Sequence, residues 1–234
     1  LLRSENIEII YKSGETSPSS FQLGTIPIQY DLDWLSYQRL YLETSGVDVV
    51  VLDFCIIDKN QKVIAYFPLE YQNKMLSCGG GPLLKPLFKI ELSDKIRARI
   101  FKSIIEALTT LQRKLGLIGT KLMLDIDDNF FEFNYQSVIL SSLGHNHTSQ
   151  FHLIIDLEKP ELVLWGEIRK SYRNLINKSK KIWKSELVTK YNFNDELWDE
   201  FRLLHYQAAG QRYTRDLETW NFQKKLLRND RAFL

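Results

Sequence analysis

Two long apolar stretches, Val47–Ile57 and Lys62–Gln72, dominate the hydrophobic pattern, and the four polar residues 58–61 separate them. This arrangement is typical of two strands joined in a hairpin. In the first stretch both alternating sets of positions are apolar. One face carries Val50, Leu52, Phe54 and Ile56, and the other carries Val49, Val51, Cys55 and Ile57. A strand that is apolar on both faces is expected at the centre of a sheet covered by helices on both sides, so the pattern predicts an α/β fold.

Helical spacing of apolar residues, together with capping residues and terminal glycines, predicts the helices. They are expected from Asp31 to about Ser45, from Ser93 to Gly116, over Tyr135–Leu143, from Pro160 to about Lys184, over Asp195–Ala209 and over Leu217–Arg228.

Shorter apolar runs predict further strands. They are expected at Ile7–Tyr11, Lys121–Ile126, Gln150–Leu157 and Glu186–Tyr191, and from Arg231 onward. The predicted order of elements restarts after residue 185, without a sequence repeat that aligns residue for residue. This order suggests one architecture used twice, with the second copy incomplete. The chain begins at Leu1 and stops within an apolar run. We therefore expect it to be a piece of a longer protein.

Composition fits an ordinary globular protein, with 234 residues, 44% hydrophobic and 26% charged residues, and a net charge of +2. The two cysteines are too few for a disulfide scaffold, which favours a reducing compartment. Neither a signal peptide nor an apolar stretch long enough to span a membrane is present in the sequence. We therefore expect a cytoplasmic protein.

A basic run is the strongest local signal. Seven basic residues occur without an acid among them: Arg169, Lys170, Arg173, Lys178, Lys180, Lys181 and Lys184. On a helix, the apolar residues between them share the opposite side. A solvated face is the plain interpretation, but uncompensated repulsion favours an anionic partner: a phosphate-rich ligand, a tRNA backbone or an anionic membrane face.

A second cluster surrounds Gly210, the residue that ends the helix predicted over Asp195–Ala209. It contains His205, Arg212, Tyr213, Thr214, Arg215 and Trp220. Two arginines on a short interhelical loop suit recognition of phosphate or carboxylate, although charge complementarity at a helix end is an alternative.

Other candidate binding and catalytic residues give weaker functional signals. The glycine cluster 77–82 does not lead directly into a helix, so a turn or a substrate-facing loop is favoured over a phosphate-binding loop. Asp125, Asp127 and Asp128 lack further spaced ligands, and His145 and His147 belong to no zinc motif, so no metal site is expected. Cys78 has no neighbouring residue that marks it as a nucleophile, and the catalytic residues stay unassigned.

Two segments resemble the FemAB (FemABX) family. The first is Phe151–Leu157 followed by Leu164–Lys181, in which a strand ending in Asp-Leu precedes a helix carrying Lys-Ser-Tyr-Arg. The second is the stretch from Ala209-Gly210 to Trp220, with Arg212, Thr214 and Arg215. The motifs cover residues 150–224 and are degenerate.

The resemblance implies two GNAT-like acyltransferase domains in tandem. Residues 1–157 would form the first domain, 158–185 a connecting basic helix and 186–234 the start of the second. Family members transfer an aminoacyl group from aminoacyl-tRNA to an amine of a peptidoglycan precursor, and the substrate lies in a cleft between the domains. The implied substrate-binding residues are Lys170, Arg173, Lys181, His205, Arg212, Tyr213, Thr214, Arg215 and Trp220.

The Gly-x-Gly pyrophosphate loop of GNAT enzymes is not found, which favours aminoacyl-tRNA over acyl-CoA as the co-substrate. No permanently bound cofactor is expected. The expected acceptor is a cell-wall or other glycan precursor, which could be lipid-linked, with peripheral contact to the membrane surface. Two alternatives remain open: an acyl-CoA-dependent N-acyltransferase acting on a nucleotide-linked amino sugar, and a non-catalytic module that binds RNA or a membrane surface.

Overall fold

The computed structural model describes residues 3–4, 7–11, 27–124, 130–146, 148 and 155–232. The strands are β1 (Arg3–Ser4), β2 (Ile7–Tyr11), β3 (Val50–Val51), β4 (Phe54–Asp58), β5 (Val63–Phe67), β6 (Glu70–Gln72), β7 (Met75–Ser77), β8 (Leu87–Phe88) and β9 (Gly119–Thr120). The helices are α1 (Leu32–Thr44), α2 (Asp94–Leu115), α3 (Phe130–Ser142), α4 (Glu161–Glu167), α5 (Lys170–Ile182), α6 (Asp195–Ala208) and α7 (Leu217–Arg228), and a 3-10 turn at Ile28–Tyr30 precedes α1.

The strands form two sheets. An antiparallel sheet has the order β1-β2-β4-β5-β8, and a mixed sheet has the order β3-β6-β7-β9, in which β7 and β9 run parallel. Strand β4 lies at the centre of the first sheet, and its residues 54–57 are buried. The α/β class and the central, two-sided position of this strand are therefore confirmed.

The predicted hairpin is interrupted at the same level in both arms. Val47–Ile57 divides into β3 and β4, and Lys62–Gln72 divides into β5 and β6, so the expectation of two continuous strands was wrong. At the break the Asp53 carboxylate accepts a hydrogen bond from the Leu69 backbone N–H at 2.8 Å, and Pro68 has no N–H to donate. A side chain thus replaces a rung of the ladder, and the hairpin passes from one sheet to the other.

Helical segments cover both faces of the antiparallel sheet at β4 and β5. On one face, α2 buries Ile100, Ile104 and Leu108 against sheet residues such as Phe54 and Phe67. This helix follows Ser93 and ends at Gly116, whose φ of 60° suits glycine, as the sequence indicates. On the other face, Cys55 and Tyr66 pack beside Tyr30, the last residue of the 3-10 turn that leads into α1.

Several predicted strands differ from the structure. Strand β9 ends before the predicted Lys121–Ile126, of which only Leu122 forms a bridge, while residues 125–129 lie outside the described residues. Within Gln150–Leu157, residues 150–154 lie outside the description and 155–157 form no strand. Residues 231–232 likewise form no strand.

The predicted strand Glu186–Tyr191 was also wrong. Asn192 accepts a hydrogen bond from the Thr189 backbone N–H at 2.7 Å and donates one to the Leu187 carbonyl at 2.9 Å. These side-chain bonds occupy backbone groups that a strand would pair with a neighbour, so residues 186–189 form no regular element and a turn follows at 190–192.

The basic helix is shorter than predicted. Instead of one helix from Pro160 to Lys184, α4 and α5 are separated at Ile168 and Arg169, whose ψ angles of 130° and 137° are extended. Gly166, a weak helix former, lies just before this break. Among the described residues, no helix is both long and apolar enough to cross a membrane.

The last two helices agree with the predictions and begin at capping side chains. Asn194 accepts a hydrogen bond from the Leu197 N–H, and Asp216 accepts one from the Thr219 N–H. Trp198 and Trp220 lie between the two helices, edge to face with centroids 5.8 Å apart. Helix α7 in turn packs against α1, so the C-terminal helices rest on the first half of the chain.

A buried ionic cluster ties α1 to both sheets. The Arg39 guanidinium on α1 donates to Asp53 at 2.8 and 3.0 Å and to Glu70 on β6 at 2.6 Å. The Tyr66 hydroxyl on β5 donates to Asp53 at 3.0 Å, and burial raises the pKa of this tyrosine, which keeps the donor proton in place. One cation is therefore shared by two acids that water scarcely reaches.

We predict that Arg39→Met lowers the free energy of unfolding by about 3–5 kcal/mol, because it leaves two buried carboxylates without their cation. Denaturant unfolding followed by circular dichroism measures the loss. Arg99→Met, at an exposed position of α2, is the matched control and should change stability little. A loss for Arg39→Met no larger than that of the control would contradict the prediction.

A second prediction concerns pH. Burial raises the pKa of Glu70 above its ordinary value of 4.5, and this effect outweighs the opposing hydrogen bond and charge of Arg39. The folded chain thus holds the Glu70 proton more tightly than the unfolded chain. Its contribution to stability is complete below pH 4.5 and is lost as the pH rises through the raised value.

The free energy of unfolding of the parent should therefore fall relative to that of Glu70→Gln as the pH rises above 4.5. Denaturant unfolding at a series of pH values measures this difference, and the contributions of titrating groups that do not interact with Glu70 cancel between the two proteins. A difference that is constant with pH, or that changes in the parent's favour, would show that the Glu70 pKa is not raised.

Candidate functional site

A pocket of about 290 Å³ opens between α6, α7 and the loop that joins them. Its lining combines cationic, aromatic and hydroxyl side chains with one carboxylate. The lining residues are Asp199, Arg202, Leu203, His205, Tyr206, Arg212, Tyr213, Thr214 and Trp220. Five of the nine belong to the set predicted from the sequence.

The loop turns sharply at its start. Gly210 and Gln211 both have positive φ angles, 67° and 61°, which reverse the chain immediately after α6. The Arg212 Nε then donates to the Ala209 carbonyl at 3.1 Å, which fixes the base of this side chain at the pocket. Within the described part of the chain its two terminal nitrogens form no ion pair or hydrogen bond, so they are available to a ligand.

The neighbouring Arg215 has a different role. It donates to His205 at 2.8 Å and to the Tyr37 hydroxyl of α1 at 3.2 Å, and its guanidinium lies 5.3 Å from the Trp220 ring centroid. It is half-buried and is not part of the pocket lining. Its contacts hold α1, α6 and α7 together, so Arg215 stabilises the pocket without lining it.

The contacts of His205 define its tautomer. Because arginine can only donate, the His205 Nε2 atom that faces Arg215 must be the acceptor. The ring proton is thereby assigned to Nδ1, which lies 3.5 Å from the Thr214 hydroxyl. His205 in this arrangement orients the loop, and its basic nitrogen is occupied by Arg215.

Aromatic side chains form the walls. Tyr213 is 85% exposed and packs against Tyr206 with ring centroids 4.8 Å apart and ring planes tilted by 37°, so its other face is open to a planar ligand or a sugar. Trp220 is buried against Trp198 and Phe201 and contributes mainly to the floor.

The residues predicted on the basic helix lie elsewhere. Lys170, Arg173 and Lys181 are on α5 and do not line the pocket. Helix α5 has no buried residue, and Lys180 lies over the ring of Trp165 at 5.5 Å. The structure thus brings the second predicted cluster together and leaves the first on an open surface.

Four lining residues, all on α6, were not predicted from the sequence. Asp199, Arg202, Leu203 and Tyr206 are spaced i, i+3, i+4 and i+7, so they share one side of α6, and His205 lies at the edge of that side. Arg202 lies 3.7 Å from Asp199 and 5.8 Å from the Trp220 ring. The spacing alone could have indicated them, but nothing in the sequence shows which side of α6 faces the loop.

The glycine cluster 77–82 and Cys78 form structural features. Cys78 and Gly81 exchange backbone hydrogen bonds in a tight turn, and a side chain at Gly80 would meet Leu42 of α1 at 3.1 Å. Burial raises the pKa of Cys78 to about 12, which makes it a poor nucleophile. The described residues contain no group of three metal-ligating side chains, while Asp125, Asp127, Asp128 and His147 lie outside the described residues.

Comparisons with protein-family models, with curated proteins and with solved structures found no match for this chain.

The two loop arginines should respond differently to substitution. We expect Arg215→Ala to lower the free energy of unfolding by about 1.5–3 kcal/mol, because charged hydrogen bonds between helices are lost. Arg212→Ala should lower it by less than about 1 kcal/mol, since it loses one exposed hydrogen bond, from its Nε to the Ala209 carbonyl. Denaturant unfolding of both variants makes the comparison, and equal losses would show that the supporting role of Arg215 is misassigned.

Proposed function

We propose that this chain is part of an acyltransferase of the FemAB type, which transfers an aminoacyl group to an amine of a peptidoglycan or other cell-surface glycan precursor. The observation that carries the proposal is the pocket between α6 and α7, where the unbound Arg212 nitrogens lie beside the exposed Tyr213 ring. The motif likeness in residues 150–224 adds to it.

The lining suits a phosphorylated glycan acceptor. The terminal nitrogens of Arg212 can form a bidentate contact with a phosphate, and Tyr213 can stack on a sugar or base. Asp199 supplies the carboxylate of the lining, which would attract the ammonium form of the acceptor amine. In this proposal the pocket holds the acceptor at both ends, by its phosphate and by its amine.

The proposed chemistry does not require a protein nucleophile. The bound ammonium first loses a proton to water, and the neutral amine then attacks the ester carbonyl of an aminoacyl-tRNA. The amide bond forms as the ester C–O bond breaks, and the ester oxygen leaves with the nucleic acid as a hydroxyl that has taken up the second amine proton. Such a reaction gains most from alignment of the two substrates. This agrees with a pocket rich in positioning groups and with the inert character of Cys78.

The proposal includes finer features that follow the family likeness. They are the tandem GNAT-like arrangement with boundaries at residues 157 and 185, a cytoplasmic location, and aminoacyl-tRNA as the donor in preference to acyl-CoA. In this arrangement the negatively charged part of a substrate would extend beyond the pocket and contact Lys170, Arg173 and Lys181.

The direct test is binding of a diphosphate-linked amino sugar to the full chain by calorimetry. Arg212→Ala should weaken binding about 10-fold or more, because a charge-assisted contact to phosphate is lost, while the melting temperature stays close to that of the parent. Lys95→Ala, which removes one exposed positive charge on α2, is the matched control and should bind as the parent does.

Equal affinities of the parent and Arg212→Ala for the amino sugar would show that the pocket does not bind the acceptor. Saturable micromolar binding of CoA thioesters would overturn the donor preference, and tight RNA binding with no acyl transfer would favour a non-catalytic module.

A further inference from the structure

Helix α5 presents two open faces of opposite chemistry. On a helical projection, Tyr172, Leu175 and Ile182 lie on one side, and the lysines lie across the opposite side and flanks. Most of the apolar face is uncovered, since Tyr172 is 59%, Leu175 58% and Ile182 75% exposed, whereas Ile176 on the same face is half-buried. Trp183, directly after the helix, is 71% exposed.

The positive charge of this segment is not neutralised within the described part of the chain. None of the seven basic residues from Arg169 to Lys184 forms an ion pair there, and nearby Glu167 is bound by Lys159 at 2.8 Å instead. A surface helix of a folded domain normally buries its apolar side, and single-sign charge repels itself. An external partner that covers the apolar side chains and neutralises the positive charge is therefore favoured.

The two faces together favour a lipid surface over the other partners. RNA would satisfy the lysines and leave Leu175 and Ile182 in water. A second copy of the chain could cover the apolar face, but it would bring two runs of seven positive charges together. An anionic membrane takes apolar side chains below its headgroups and basic ones at its phosphates, with tryptophan at the boundary.

We propose that α5 and Trp183 form an interfacial helix that lies in the plane of an anionic lipid surface. Leu175 and Ile182 enter the acyl boundary, and Lys178 and Lys181 contact lipid phosphates from the flank and the outer side. The inference goes beyond the proposed function and does not depend on the pocket. The test below measures lipid binding without any acyl transfer.

The experiment is co-sedimentation of the full chain with vesicles of phosphatidylcholine alone or with about one third phosphatidylglycerol. We expect binding to the anionic vesicles only, weakened by added salt because the contacts are partly electrostatic. Lys178→Glu with Lys181→Glu should reduce the partition coefficient at least about 30-fold. Lys95→Glu with Arg99→Glu on α2, the same change in net charge at exposed positions, is the matched control and should bind like the parent.

A second pair of substitutions separates the mechanisms. Leu175→Asn with Ile182→Asn keeps every charge and alters no buried residue, and it should also lose vesicle binding by about 10-fold or more. Arg212→Ala should bind vesicles like the parent, which keeps this result distinct from failure of the pocket proposal.

Several outcomes would overturn the inference. Absence of binding by the parent to anionic vesicles would do so, as would unchanged binding of the asparagine variant, which would indicate a purely electrostatic patch. Tight binding of the parent to RNA but not to vesicles would identify a nucleic-acid surface. A dimer that the asparagine pair dissociates, without any vesicle binding, would identify a contact between copies.

Discussion

The position of α1 depends on one cation that two buried acids share. Arg39 forms an ion pair with Asp53, which lies where the long hairpin passes from one sheet to the other. It forms a second ion pair with Glu70, the first residue of β6 in the mixed sheet. Because a buried carboxylate without a partner is strongly unfavourable, this helix has one favourable placement over the hairpin. The same Asp53 accepts the Leu69 N–H, so the cluster also fixes where the strands break.

The pocket depends on that placement through a second layer of contacts. Once α1 is held by Arg39, Tyr37 on the same helix receives hydrogen bonds from Arg215 at 3.2 Å and from Gln223 at 2.7 Å. Arg215 in turn holds His205, which lines the pocket. A chain of polar contacts thus connects the buried cluster with the loop between α6 and α7, and the groups along it are set before a ligand arrives.

The chain carries its positive charge in two distinct settings. In the pocket, arginines are combined with aromatic rings and one carboxylate within a confined volume, which suits a small ligand with several kinds of group. On α5 the charges are spread over an open helix whose other side is apolar. The first setting favours recognition of a particular molecule, and the second favours a broad anionic surface.

The sequence by itself determined the elements whose signals are local. Periodicity and capping defined α1, α2, α6 and α7, and the two-sided apolar pattern placed β4 at the centre, because these features depend on neighbouring residues. Tertiary structure decided the rest. The break at Asp53 requires Arg39 and Leu69, which are distant in sequence, and the turn at Asn192 replaced a strand that found no partner. Likewise, only packing distinguishes Arg212, open to a ligand, from Arg215, which is engaged by α1 and His205.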